Sequence, residues 1–171
     1  MTRTLALAAS LAVCAAVCSG AGALADPSPD HPGEEAVKPY VQSNANAGAA
    51  PIGDPGLFKA FHGMDGVTRI ATATVDRAST DPRVADIFKS HDLVRLKRVL
   101  AEQFCYLLGG PCAYTGRDMK TSHADLGVQD IDFNALVEDL QAAMTKEGVP
   151  FRDQNRLLAK LAPMHRDVVQ K

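Results

Sequence analysis

The sequence predicts an all-α domain, and three observations lead to that prediction. Apolar residues recur at helical spacing from Leu57 onward, no stretch alternates as a strand does, and glycine or proline separates the helical stretches. The composition is typical of a globular protein, since 46% of the 171 residues are hydrophobic and 22% are charged. A formal net charge of −2 gives no basic footprint, so nucleic acid is not expected as a partner.

Residues 1–25 are typical of a secretory signal peptide. Arg3 gives a positive start, residues 5–18 form an apolar stretch, and residues 23–25 offer a small-residue cleavage site. The apolar stretch is shorter than the ~20 residues that a membrane span needs. We therefore expect cleavage after Ala25 and export to the periplasm or the cell exterior, with no membrane span in the mature chain. A retained signal anchor is the alternative.

Residues 26–55 predict a flexible linker. Proline, glycine, asparagine and alanine dominate this segment, and it shows neither a strand period nor a helix period. The folded domain is therefore expected to span residues 56–171.

Four amphipathic helices are predicted in that domain, each with a stripe of apolar residues on one face. The first ends at Asp81-Pro82 and carries Val67, Ile70, Ala71, Thr74 and Val75. The second ends at the Gly-Gly-Pro run of residues 109–111 and carries Leu93, Leu96, Leu100, Phe104 and Leu107. The third follows Asp130, closes at Gly148 and carries Phe133, Leu136, Val137, Leu140, Ala143 and Met144. The fourth covers residues 153–169, with Leu157, Leu158, Leu161, Met164 and Val168 inward.

The polar segment between the second and third helices, residues 112–130, contains one good metal ligand, His123. Met119 lies four residues earlier and shares a face with His123 if this segment makes a helical turn. A histidine in such a connection is solvated by default, so position alone does not assign it a role.

Residues spread over the whole domain resemble a known family. They are Leu57-Phe58, Gly63, Asp81-Pro82, Phe88, Arg95-Leu96-Lys97, residues 108–111, Tyr114-Thr115-Gly116, Met119-Lys120, His123, Gly127 and Phe133. Together they resemble the group 1 truncated haemoglobins, most specifically in LGGP-x-x-YTG followed by M-K-x-x-H. The resemblance implies a truncated globin-like two-over-two helical sandwich around haem b, with His123 as the iron ligand. It also implies a diatomic gas as the bound partner.

The resemblance assigns the remaining cofactor contacts. An apolar wall that keeps water from the porphyrin is expected from Phe88, Leu96, Leu100, Phe104, Phe133, Val137, Leu140 and Met144, and Met119 is a further expected cofactor contact. Donors to the haem carboxylates are expected from Arg95, Tyr114 and Lys120.

At the positions that would face the iron from the opposite side, the chain departs from the family that it resembles. Val75 stands where members commonly place a tyrosine, and its neighbour is Thr74. Leu96 and Leu100 occupy the facing positions of the distal helix, and Gln103 either reaches inward or faces solvent. Because a valine and two leucines donate no hydrogen bond, we expect fast oxygen release, whereas carbon monoxide and nitric oxide bind comparatively well.

Several alternatives stay open. His91, ahead of the distal helix, is either solvated or the ligand that closes the sixth iron position. Cys105 and Cys112 either form a disulfide or do not. The protein is a gas-binding globin, a haem enzyme that acts on nitric oxide or peroxide with an external reductase or electron donor, or a helical binding module without haem.

Overall fold

The computed structural model describes residues 31–170, and its regular structure is helical. The predicted signal peptide and the start of the predicted linker lie outside the described residues, as does Lys171. Along the described part of the chain, no helix combines the length and apolar character needed to cross a membrane.

The helices confirm the all-α prediction. Those within residues 31–170 are α1 (Pro55–Ala60), α2 (Gly63–Ala78), α3 (Ala85–Phe88), α4 (Leu93–Leu107), α5 (Met119–His123), α6 (Asp130–Lys146), α7 (Phe151–Leu161) and α8 (His165–Val168). One 3-10 turn precedes α1 at Asn44–Ala47, and another separates α7 from α8 at Ala162–Met164.

The first predicted helix is two helices, because the chain turns at His62. The side chain of Asp54 caps α1 by accepting a hydrogen bond from the Gly56 N–H at 2.8 Å. His62 then adopts a left-handed φ of 62°, which ends the helical run before α2 begins at Gly63. The change of direction lets α2 cross the domain with its apolar face inward.

Helix α4 begins at a capping aspartate and ends at a pair of glycines. Asp92 caps its start by accepting a hydrogen bond from the Arg95 N–H at 3.0 Å. At its end Gly109 takes a φ of 78°, and the Gly110 N–H donates to the Cys105 carbonyl at 2.8 Å. A glycine suits this left-handed position because a Cβ there is strained. The predicted stop at residues 109–111 is confirmed.

The four long helices form the two-over-two sandwich that the resemblance implied. Helix α2 packs against both α4 and α6, and α6 also packs against α7. The predicted stripe of α2 is in the core, with Val67, Ile70, Ala71, Thr74 and Val75 all buried. The cavity described below opens between these layers.

The fourth predicted helix is interrupted near its middle. Helix α7 ends at Leu161, and Pro163 lies in the 3-10 turn that follows. Proline has no N–H to donate, and its ring clashes with a carbonyl one turn earlier, so it ends a regular helix. The chain resumes as α8, and Met164 and Val168 still reach the core as expected.

Part of the segment that was predicted as a flexible linker contacts the domain, although most of residues 31–55 are exposed or half-buried. We call residues 34–47 the strap. The Glu34 side chain is 1% exposed and is bound by two arginines of α4, and Ala47 is fully buried. The strap is fixed by individual polar contacts to distant residues rather than by an apolar stripe, and hydrophobic periodicity does not detect contacts of that kind.

Cys105 and Cys112 form a disulfide, with their Cα atoms 5.9 Å apart. The turn after α4 brings the two residues together. The bond closes a loop with a sequence separation of 7 at the end of the distal helix.

We expect the double variant Cys105→Ala, Cys112→Ala to lower the free energy of unfolding by about 2.5 kcal/mol. The bond removes conformational freedom from the unfolded chain, and the gain is small for so short a loop. Urea unfolding measures the difference. A reducing agent serves as control, because it should destabilise the unaltered protein equally and leave the variant unchanged. Unaltered protein that is insensitive to the reducing agent would contradict the expectation.

Candidate functional site

A cavity of about 480 Å³ lies between the helical layers, lined from α2, α3, α4, α5 and α6. Its volume is in the range typical of cofactor sites. The lining includes all but one of the apolar residues that the sequence assigned to the cofactor, namely Phe88, Leu96, Leu100, Phe104, Met119, Phe133, Val137 and Leu140. Met144 is buried in the core but is not part of the lining. One surface therefore brings together residues that are far apart along the chain.

His123 lies at the end of α5 and lines this cavity. Its Nδ1 is 2.7 Å from the carbonyl oxygen of Met119, one turn earlier. Because a carbonyl only accepts, Nδ1 carries the proton and Nε2 is left with its lone pair. Burial lowers the pKa of the His123 imidazole and outweighs the Met119 hydrogen bond, which raises it. The imidazole is therefore neutral, as a metal ligand must be.

Gln170 fixes the segment that follows His123. Its side-chain amide donates to the His123 carbonyl at 2.5 Å, and its Oε1 accepts from the Gly127 N–H at 3.2 Å. Its backbone N–H donates to the Val128 carbonyl at 2.9 Å. Three hydrogen bonds that involve Gln170, two as donor and one as acceptor, thus hold the segment that follows α5. The sequence carries no signal for this role, because the two segments meet only in the folded chain.

The Thr74 hydroxyl, on the distal side of the cavity, is not free to donate a hydrogen bond to a ligand. Thr74 and Val75 of α2 both line the cavity and are buried. The Thr74 hydroxyl already donates to the Ile70 carbonyl within its own helix, at 2.8 Å. Leu96 and Leu100 of α4 add only apolar surface. Val75, Leu96 and Leu100 therefore present only apolar groups, and the polar distal residues are Thr74, whose hydroxyl is engaged, and Gln103.

Gln103 reaches inward and does not face solvent, which were the two alternatives that the sequence left open. It is buried, lines the cavity, and donates from its side-chain amide to the Ala47 carbonyl at 2.9 Å. The same nitrogen lies 3.4 Å from the Met119 sulfur. The amide is thus engaged by the strap and by α5.

His91 lies at the edge of the cavity, in the turn between α3 and α4. The residue is exposed, and its backbone N–H donates to the Phe88 carbonyl at 3.3 Å.

Of the three residues predicted to donate hydrogen bonds to the haem carboxylates, two line the cavity. Arg95 and Tyr114 line the cavity as expected, although the Tyr114 hydroxyl already donates to the Arg117 carbonyl at 3.0 Å. Burial raises the pKa of that hydroxyl, so it stays protonated. Lys120, the third predicted donor, is exposed and is not part of the cavity lining, because it follows the inward-facing Met119 on α5. Arg117, which the sequence analysis missed, lines the cavity instead.

Two further groups of lining residues were not predicted. The strap contributes Glu35, Ala36 and Val37, for which no periodic signal exists. Other positions add Val99, Leu126, Val128, Leu161, Met164 and Val168. The helical spacing of Leu161, Met164 and Val168 marks them as inward-facing, but only the packing of the sandwich shows that they reach the cavity.

Comparisons with known proteins agree with this architecture. The model of the bacterial-like globin family matches residues 56–170. A group 1 truncated haemoglobin of Nostoc sp. is 27% identical over 115 residues, covering 67% of this chain and 98% of that protein. Another, from Mycolicibacterium paratuberculosis, is 33% identical over 88 residues, covering 52% of this chain and 65% of that protein.

Solved structures show the same fold. The ferric truncated haemoglobin from Tetrahymena pyriformis matches with a TM-score of 0.64 at 23% identity, covering 67% of this chain and 98% of that chain. The 2/2 haemoglobin from Synechococcus sp., solved in the cyanomet state with covalently attached haem, matches with a TM-score of 0.62 at 22% identity, covering 67% and 98%. The chain therefore belongs to the bacterial-like globin family, and its relatives include group 1 truncated haemoglobins.

Proposed function

We propose that this chain binds haem b in the cavity and holds its iron through His123, leaving the other axial position for a diatomic gas. Membership of the globin family implies haem and a gas ligand. The observation that carries the proposal is the environment of His123. A neutral imidazole lines the cavity with Nδ1 committed to the Met119 carbonyl, which leaves Nε2 as the metal-binding atom.

The residues present fit haem. The porphyrin is a large apolar ring, and the cavity wall is largely apolar. Haem also carries two carboxylates, and two guanidinium groups, those of Arg95 and Arg117, line the cavity. When bound, haem supplies an iron with an axial position open to a small ligand.

The chain's own residues decide how a gas is held. His123 is fixed in orientation by α5 and by Gln170. Phe88, Leu96 and Leu100 exclude water from the distal side because their side chains are apolar. With the Thr74 hydroxyl committed to a backbone carbonyl, an oxygen ligand is held weakly, whereas carbon monoxide and nitric oxide depend less on hydrogen bonds.

A haem titration of the purified chain tests this proposal. We expect equimolar binding, a five-coordinate spectrum after reduction, and conversion to a carbon monoxide adduct. The His91→Ala variant is the control for the sixth position: a bis-histidine spectrum that this change abolishes would show that His91 is a ligand. A chain that binds no haem would contradict the proposal and favour a helical module without cofactor.

We also propose that the mature protein is exported. The layout of residues 1–25 supports this, as does the disulfide between Cys105 and Cys112, since such bonds persist in oxidising compartments. Amino-terminal sequencing of the protein from the periplasm should begin at Asp26. Recovery of uncleaved protein from the cytoplasm alone would contradict export.

A further inference from the structure

We propose that the strap is a built-in wall of the haem pocket, and that Glu34 is the positioning residue that keeps the strap closed over the cofactor. The inference rests on the proposed binding of haem in this cavity. The strap, residues 34–47, lies upstream of residues 56–170, which the family model matches. It is therefore an addition that this chain makes to the globin domain.

Glu34 anchors the start of the strap to the distal helix. Its carboxylate accepts hydrogen bonds from Arg98 at 2.5 and 2.9 Å and from Arg95 at 3.2 Å. The Glu34 side chain is 1% exposed, so its carboxylate is shielded from water, whereas the Arg95 and Arg98 side chains are 20% and 21% exposed. Charge-assisted bonds in such surroundings are strong, and the removal of one partner leaves the others uncompensated.

Tyr40 anchors the middle of the strap between two arginines of the pocket. Its hydroxyl accepts from Arg95 at 2.6 Å and donates to the Thr115 carbonyl at 2.6 Å. The Arg117 guanidinium lies 5.0 Å from the centre of the Tyr40 ring, and it donates to the Lys38 carbonyl at 2.9 Å. Both arginines that line the cavity are therefore held by atoms of the strap.

The end of the strap is bound to the domain by neutral hydrogen bonds. The Tyr114 N–H donates to the Asn44 side chain at 2.8 Å, and the Asn46 side chain donates to the Gly116 carbonyl at 3.2 Å. The Ala47 carbonyl accepts from Gln103 at 2.9 Å. Contacts at the start, middle and end make the strap a fixed part of the domain.

Between these anchors the strap forms cavity wall. Glu35, Ala36 and Val37 line the cavity, and the Glu35 N–H donates to Asp92 at 2.7 Å. Asp92 is also the cap of α4, so the strap and the distal helix share one anchoring carboxylate. Loss of the Glu34 carboxylate releases this wall and Arg95 together. Water then reaches the cofactor from this side, and haem leaves faster.

The Glu34→Gln variant tests the inference in the full chain reconstituted with haem. Haem loss is measured as transfer to an excess of apomyoglobin. We expect its rate to rise by about tenfold or more, because the substitution weakens hydrogen bonds between charged groups. Glu147→Gln is the matched control. It removes the same charge from the ion pair with Arg69, outside the cavity, and should leave haem loss unchanged.

Amide hydrogen exchange of residues 34–47 in the haem-free chain gives a readout independent of the cofactor. The Glu34→Gln variant should exchange faster there, whereas Glu147→Gln should not. If Glu34→Gln does not fold by circular dichroism, Tyr40→Phe replaces it, because it removes only the hydroxyl shared by Arg95 and Thr115.

Three results would overturn the inference. An unchanged rate of haem loss in a folded Glu34→Gln variant would show that the strap, as held by Glu34, does not slow the release of haem. Faster haem uptake with unchanged loss would show that the strap obstructs the pocket instead of closing it. Unchanged amide exchange would show that Glu34 does not hold the strap. An unaltered chain that binds no haem is distinguishable from all three, because it contradicts the proposed function and this inference with it.

Discussion

Replacing His123 with glycine is expected to weaken haem binding by more than about 100-fold. Loss of a hydrogen-bond partner behind a metal ligand costs 10- to 100-fold in affinity, so loss of the ligand itself should cost more. The shortened side chain leaves a space beside the Met119 carbonyl, where free imidazole can bind. Added imidazole should therefore restore the five-coordinate ferrous spectrum. Haem titration with and without imidazole measures both effects.

His62→Gly is the matched control for this substitution. It removes a histidine that is outside the cavity wall and has a φ of 62°, a conformation that glycine adopts without strain. Its spectra and haem affinity should match those of the unaltered chain. An unchanged electronic spectrum in His123→Gly would show that another group binds the iron, and His91 would be the next residue to replace.

Val75→Tyr is expected to slow oxygen dissociation by roughly 10- to 150-fold. Val75 is buried on α2 and lines the distal side of the cavity, so a tyrosine ring there projects into the pocket. Its hydroxyl adds a donor that no other protein group engages, unlike the Thr74 hydroxyl and the Gln103 amide. A hydrogen bond to a partly anionic ligand contributes about 1.5–3 kcal/mol, which corresponds to that change in rate. Rapid mixing of the oxygen complex with carbon monoxide measures the dissociation.

Val75→Phe separates the hydroxyl from the size of the ring. It fills the same space without a donor, so its oxygen dissociation should stay close to that of the unaltered chain. Carbon monoxide dissociation should change little in Val75→Tyr, because that ligand depends less on a hydrogen bond. Equal slowing by phenylalanine and tyrosine would mean that steric closure, and not hydrogen bonding, controls release.

The sequence predicted the core of the site because local pattern carries that information. Helical spacing in α4 and α6 identified Leu96, Leu100, Phe104 and Phe133 as inward-facing, and all four line the cavity. His123 followed from its position after Met119 within a recognisable motif. The position of Lys120 outside the cavity lining was not predicted, because a motif gives the order of residues and not the direction in which each side chain of a five-residue helix points.

The fold class and the helical stripes were therefore determined by the sequence itself, since each depends on residues within a few turns of one another. The candidate iron ligand was also given by the sequence, through a resemblance carried by residues along the whole domain. The strap, the engagement of Gln103 and the part played by Arg117 were decided only by the tertiary structure. Glu34 and Arg98 are 64 positions apart, and Gln103 and Ala47 are 56 apart. Single polar contacts over such separations leave no period in the sequence, and they exist only once the helical layers have brought their partners together.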